Sequence, residues 1–391
     1  MIALVDCNNF FVSCERVVDP SLNGRPVIVL SGGDGCVVAM SNEAKRLGIT
    51  RGIPLFKIRD IIEAHKVVKI RGHHDLYRKI SQKVMKTLSS IVEDIECYSI
   101  DEAFLHLSPQ LGDIAGFGHY VVDEVRLKTW IPVSIGIAQT KTLAKLAARF
   151  AKKYPGYNGV CVIDTAEKQE KALALTDISD IWGIGPRLAD RMKMVGIKTA
   201  ARFASLNLAQ VNTLVSITGQ RTWRELNGEA CIEQDYVPPE RRSMTSSRSF
   251  EHDVYDFEFL RKAVIGHVST LGRRLRRQKC HAAEISIYLR TNPFKPHIPQ
   301  TRDTAKTTLP SPTADTLTLT TAAINLLKAT YKQGYGYKKA GITLSRLIGD
   351  DEVQLGLFDN LADINRRRRL MDTLDRLNSS IPGAISLIPE D

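Results

Sequence analysis

Ile2-Ala3-Leu4-Val5 opens the chain as an unbroken apolar run, too apolar for a strand at a wet sheet edge, and it ends on Asp6. Later, Ile95, Cys97 and Ser99 alternate with Glu96, Tyr98 and Ile100, and Phe104, Leu105 and Leu107 carry an apolar run after Asp101 and Glu102. This predicts two short strands with an acidic step between them. Leu76, Ile80, Val84, Leu88 and Ile91 step by three and four, predicting an amphipathic helix packed on a sheet. A helix near 119–129, a strand over 133–138, a helix over 141–152 and a strand over 159–163 continue the alternation, which makes an α/β layer. Gly136 is expected at a tight strand-to-helix turn, and Lys141, Lys145 and Lys153 on a solvated helix face.

Residues 21–74 read as a small insertion, with strands at 26–30 and 36–40 around the Gly-rich stretch 31–35, and short helices. Asp180 to Pro186 contains a Gly-x-Gly turn, Gly183 and Gly185, expected to join two helices as a helix-hairpin-helix whose amides bind a phosphate. Residues 233–242 are polar and Pro-rich, a linker. Beyond it the order is strand, helix, strand, strand, helix, strand, at 246–250, 257–278, 284–290, 303–309, 317–331 and 341–347. Ile285, Ile287 and Leu289 share one strand face; Ser286, Tyr288 and Arg290 share the other, which can lie along a duplex groove, although an ordinary solvated sheet has the same pattern. Arg273, Arg274, Arg276 and Arg277 end the first helix, where they bind phosphate, complement the helix dipole, or both. In the tail, Leu370, Met371, Leu374 and Leu377 predict a further helix that packs on the body or docks a partner.

Charge changes the picture. The 391 residues carry a net +11, and between Ser243 and Asp350 17 Lys or Arg stand against 8 Asp or Glu, so this module suits a polyanion. No spanning apolar run or basic amphipathic Trp-rich helix points to a membrane, and the first residues lack a basic lead, so the cytoplasm is expected. Seven cysteines without a CxxC pair give neither a usual zinc spacing nor a disulfide framework.

The candidate chemistry lies in Asp6, Asp101 and Glu102. Neighbours on a flat strand point to opposite faces, so Asp101 and Glu102 serve one site only if the chain turns or bulges there. Three acids at two strand ends suit magnesium, which leaves positions open for water and phosphates, and imply two-metal phosphoryl transfer.

The blocks ALVDCNNFFVSCE (3–15), NEAKRLGI (42–49), YSIDEAF (98–104) and GIAQTKTLAKLAARFAKK (136–153) resemble the signature stretches of Y-family translesion DNA polymerases, nearest the UmuC-type branch. The resemblance implies an α/β and α+β multidomain right-hand polymerase. Its palm would be 1–20 and 75–165, its small fingers 21–74, its helix-hairpin-helix thumb 166–232, and its C-terminal βαββαβ little finger 243–350, before a tail at 351–391. It further implies two Mg2+ ions on Asp6, Asp101, Glu102 and the main-chain carbonyl of Cys7, and a steric gate at Phe11. Asn42, Lys45 and Lys152 would contact the nucleotide, Asn42 and Lys45 standing where many members have Tyr and Arg. Gly183, Gly185, Arg248, Ser286, Tyr288 and Arg290 would contact DNA. Gln354, Leu355, Leu357 and Phe358 resemble the peptide by which bacterial polymerases dock on the sliding clamp. Primer-template DNA, dNTP, the clamp and, by family, a processed UmuD dimer and RecA are the implied partners. The implied activity is error-prone synthesis in the SOS damage response, without proofreading. Two other readings stay open: a nucleotidyl cyclase, which has no use for a basic module, and a catalytically silent clamp- and DNA-binding relative.

Overall fold

The computed structural model describes residues 1–32, 35–108, 112–233, 241–353, 360–381 and 385. The chain forms two compact units.

The first unit runs β1 (Ile2–Cys7), α1 (Phe10–Val18), β2 (Val27–Leu30), β3 (Val37–Met40), α2 (Asn42–Arg46), α3 (Arg59–His65), β4 (Val68–Arg71), α4 (His74–Ser89), β5 (Ile95–Cys97), β6 (Glu102–His106), α5 (Ile114–Thr129), β7 (Val133–Ala138), α6 (Lys141–Lys153) and β8 (Val160–Ile163). Then come α7 (Ala166–Ala174), α8 (Pro186–Met194), α9 (Ala200–Ala204), α10 (Leu208–Leu214) and α11 (Ile217–Leu226). The main sheet has the order β5-β6-β1-β7-β8, so the apolar first strand lies at its centre. Leu4 and Phe104 pack on the α6 side, in one core that continues through Phe203 to Leu226. Ala3, Val5, Ala103 and Leu105 pack on the other side with residues of α4 and α5.

Gly136 is not at a turn. It lies within β7, where an added Cβ would fall 1.9 Å from the Ala148 amide nitrogen and 2.2 Å from the Ala144 carbonyl oxygen, so glycine lets α6 lie flat on the strand. The insertion has its own sheet, β3-β2-β4, with β4 unforeseen and parallel to β2. In the helical module, the first arm of the expected helix-hairpin-helix is a single 3-10 turn, Ile178–Asp180, and only α8 is a full helix.

The second unit comprises β9 (Ser243–Val254), α12 (Phe257–Arg277), β10 (Cys280–Thr291), β11 (Arg302–Thr313), α13 (Thr316–Thr330), β12 (Tyr337–Gly349) and α14 (Leu361–Ser380). Its elements follow the expected order with longer strands, in an antiparallel sheet β11-β10-β12-β9. Ile285, Ile287, Leu289, Ile342 and Leu344 form its core with residues of α12 and α13. The tail helix α14 packs on this body: Met371 is buried, and Arg276 grips Asp375 with two bonds of 2.7 and 2.9 Å. Arg276 also donates to the Ala314 carbonyl, so within its basic run it is a structural residue. All seven cysteines are free thiols.

Candidate active site

Strand parity builds the site. Asp6 stands opposite Glu102 in the β1–β6 ladder, two residues beyond the pair Leu4 and Phe104, so both carboxylates share the α6 side of the sheet. Asp101 joins them through the turn. The Tyr98 and Ser99 amides donate to the Glu102 carbonyl at 3.1 and 3.0 Å, and the Cys7 amide donates to the Asp101 carbonyl at 2.8 Å. The Ser99 hydroxyl donates to Asp101 Oδ1 at 2.6 Å and accepts from the amides of Asp101 and Glu102. A turn thus stands at residues 98–102, with the Asp101 backbone tied to Cys7 at the end of β1.

Along α6, Lys141, Lys145 and Lys152 are spaced by four and seven residues and therefore share a stripe. Each meets a carboxylate: Lys141 Nζ lies 2.6 Å from Glu96, Lys145 Nζ lies 2.8 Å from Glu102, and Lys152 pairs with Asp6. The expectation that Lys141 and Lys145 are solvated is overturned. Lys141 and Glu96 expose only 2% and 6% of their side chains, and Lys145 only 14%. Burial raises the Asp6 carboxyl above its usual range, Lys152 pulls it back, and Glu102 and Asp101 raise it further. Burial also pushes the Cys7 thiol well up, and both burial and Lys152 lower Lys45.

Lys152, Lys145 and Ser99 each hold one oxygen of Asp6, Glu102 and Asp101 respectively. Among the described residues, no three acidic, histidine or cysteine side chains converge as an ion cage. The donor set nevertheless suits a hard cation: carboxylates, one of them held above its usual pKa by burial and by its acidic neighbours, which an ion would relieve.

The insertion reaches this end of the sheet. Ser41 caps α2, and Lys45 Nζ donates to Asn9 Oδ1 at 2.6 Å while Asn9 donates to Asn42 Oδ1 at 3.0 Å. Asn9 itself takes the left-handed conformation, φ 47°, just before α1. Phe10 is buried, whereas Phe11 is partly exposed and stacks on Tyr77, whose hydroxyl donates to the buried carboxylate of Glu15. His73 Nδ1 lies 2.9 Å from the same carboxylate. Tyr77, Glu15 and Trp182 were missed by sequence reasoning. The helical periodicity that places Leu76 and Ile80 was the available sign for Tyr77.

The helical module closes on α6. Glu225 accepts from the Thr142 amide at 2.8 Å and from the Cys231 and Ile232 amides, a buried carboxylate at a helix N-terminus. Arg149 pairs with Asp180 at 2.5 Å. Asp6, Glu102, Thr142, Lys145, Arg149 and Trp182 line a cavity of about 220 Å³. At Gly183, φ is +87° and a Cβ would meet Thr222 Oγ1 at 2.6 Å, so glycine is required there; Gly185, the N-cap of α8, has an ordinary φ of −76°.

In the second unit, Ser286, Tyr288 and Arg290 pair with Thr343, Gly341 and Lys339 on one sheet face, joined by Thr245 and Ser247 of β9 and by Lys306, Thr304 and Arg302 of β11. Arg248 does not belong with them. It pairs with Ala340 and shares parity with Met244 and Phe250, on the face that packs against the helices. The candidate peptide Gln354, Leu355, Leu357 and Phe358 lies outside the described residues.

Residues 5–149 match the impB/mucB/samB family and residues 241–357 match its C-terminal domain. Protein UmuC of Salmonella typhimurium strain LT2 is 38% identical over 97% of this chain and 90% of its own length. Protein ImpB of Salmonella typhimurium is 37% identical over 98% of this chain and 92% of its own. A DNA polymerase IV from Desulfatibacillum aliphaticivorans is 27% identical over 96% and 92%. Among solved structures, a Y-family DNA polymerase chimera of Dbh and Dpo4 superposes with a TM-score of 0.71 at 21% identity, covering 89% of this chain and all of the other. That likeness is one of fold.

Proposed function

From the premise that the chain belongs to the impB/mucB/samB family of UmuC-like Y-family proteins, we propose that it is a template-directed DNA polymerase that carries out error-prone translesion synthesis in the SOS damage response. The observation that carries this reading is the meeting of Asp6 and Glu102 across one ladder, with Asp101 bound by its backbone to Cys7.

Two magnesium ions held by Asp6, Asp101, Glu102 and the Cys7 carbonyl would, when bound, activate the primer 3′ hydroxyl and neutralise the departing pyrophosphate. The chain's own residues do the positioning. Lys152 and Lys45 are two ammoniums near the carboxylates, and Lys45 and Asn42 are fixed to Asn9, so a triphosphate would meet a preformed set of donors. Both cations are point charges without the fork of Arg, which favours electrostatic over bidentate grip. Phe11, backed by Tyr77, stands as the ring that excludes a 2′ hydroxyl.

Gly183 and the start of α8 would hold a phosphate without reading sequence. The polar sheet face with Ser286, Tyr288, Arg290, Arg302, Lys306 and Lys339 would follow the duplex backbone. Arg248 adds charge from the other face only. The peptide 354–358 would dock the sliding clamp, and a processed UmuD dimer and RecA would be partners in the cytoplasm, as in the UmuC-type branch. Extension of a primer past a template lesion with dNTP and Mg2+ tests the reading. Clamp and primer-template binding without any incorporation would favour the silent relative instead.

A further inference from the structure

We infer that Lys145 is a positioning residue that aims the Glu102 carboxylate and ties that aim to the seat of Trp182 in the helical module; the inference rests on the reading of Glu102 as a metal-holding group. A lysine so little exposed needs compensation for the water it gives up. Here the compensation comes from two sources. Its ammonium donates to Glu102 Oε1 at 2.8 Å, and three rings surround it: Tyr98 at 4.4 Å from the ring centre, Trp182 at 5.2 Å and Phe104 at 6.0 Å.

The cage is assembled from different parts of the unit. Tyr98 belongs to the turn that carries Asp101 and Glu102, Phe104 to β6, and Trp182 to the segment just before α8 in the helical module. Trp182 Nε1 donates to the Tyr98 hydroxyl at 3.2 Å, the two rings meet edge to face, and the Trp182 carbonyl accepts from Thr222 of α11. Lys145 thus engages one carboxylate oxygen, Oε1, and fixes which way Oε2 points. Any displacement of Trp182 removes a wall of the cage, loosens the ammonium and lets Glu102 turn. A shift in the helical module is thereby converted into a change at the metal site, through one lysine.

The test uses the full chain bound to primer-template DNA, with Mn2+ as the probe and its binding read by electron paramagnetic resonance. Lys145→Met is expected to weaken Mn2+ binding by about 10- to 100-fold, the range typical of groups that orient metal ligands. Trp182→Leu should weaken it in the same direction, the double variant should lose no more than Lys145→Met alone, and Lys145→Arg should restore part of the affinity. Removal of a neighbouring positive charge by itself would tighten a cation, so weaker binding marks a misaimed carboxylate. Unchanged or tighter Mn2+ binding in folded Lys145→Met, or in Trp182→Leu should the first variant not fold, overturns the inference. Glu102→Gln separates the two levels. If it weakens Mn2+ while the Lys145 and Trp182 variants do not, only this inference fails; if it too has no effect, the metal-site reading fails with it.

Discussion

The ring of Phe11 lies 4.4 Å from that of Tyr77 and nearly parallel to it, 13° apart, so the exposed ring is backed by one whose hydroxyl is anchored on Glu15. A stacked ring can exclude a hydroxyl because it cannot swing away. Phe11→Ala is therefore expected to admit ribonucleotides with little loss of dNTP incorporation. Tyr77→Ala should relax the same discrimination less, and Tyr77→Phe hardly at all. Incorporation of dNTP and rNTP on one template measures this, and an unchanged preference in Phe11→Ala would leave that ring a packing role alone.

Asp101→Ala should abolish incorporation while primer-template affinity stays within a few-fold, because on the proposed reading the carboxylate would serve a cation, and it carries the wrong sign for DNA. Ser99, left without its acceptor, still caps the turn through the amides of residues 101 and 102. Extension assays beside gel-shift titrations check the pair of outcomes. Retained magnesium-dependent extension sinks the assignment.

Neutralising Arg290, Arg302, Lys306 and Lys339 together should flatten the dependence of DNA affinity on salt. Every phosphate that these side chains no longer neutralise takes about 0.9 off the slope of log K against log salt. Lys306 is partly occupied by Glu284 at 3.1 Å, so its share should be the smallest. Arg248→Ala, on the other face, should leave the slope nearly unchanged. Titrations at several salt concentrations decide, and equal slopes for the fourfold variant and the parent would remove the sheet face from the DNA grip.

His267 is expected to give the second unit a pH dependence. Burial, then Arg248, lower its pKa below the ordinary value; Nδ1 is 2.9 Å from the Ser246 hydroxyl, and Nε2 is buried without a partner among the described residues. The unfolded chain then takes up the proton first, so stability is full above the ordinary histidine pKa of about 6.5 and falls as pH drops through the folded value. Replacement by Gln should flatten that fall. Urea unfolding of the full chain across this range measures it, and a parent whose stability does not decline would refute the role.

Leu357→Ala with Phe358→Ala should abolish clamp binding and clamp-stimulated synthesis and spare distributive extension on short primers. The two side chains, each contributing about 1.5 to 3 kcal/mol when fully buried, are the main apolar anchors of so short a peptide. Loss of basal activity as well would place the peptide in the folded body.

The order of strands and helices in the main sheet and in the second unit was legible because burial leaves a periodic trace: the unbroken run 2–5 is a central strand, and alternation located the strands on either side of the acidic step. Lys141 and Lys145 defeat a reading by sequence for a physical reason. A stripe of lysines looks the same whether it meets water or the carboxylates of another element, and only the fold brings Glu96 and Glu102 beneath it. Strand β4 is four residues with a charge at every second position, below what alternation can distinguish from a loop. Gly136 looks like punctuation because the reason for it lies in a neighbouring helix. The face of Arg248 was readable, since Met244 and Phe250 share its parity and are buried.

The core that passes from Leu4 through Phe203 to Leu226 has a consequence for descent as well as for folding. A recombination event between two such genes that broke within residues 141–226 would join halves whose buried side chains had diverged separately, among them Glu225 and the helix start it occupies. A crossover in the linker would cut no core, since the second unit encloses its own. Lineages of these proteins should therefore exchange the C-terminal unit as a cassette while inheriting the first unit as one block.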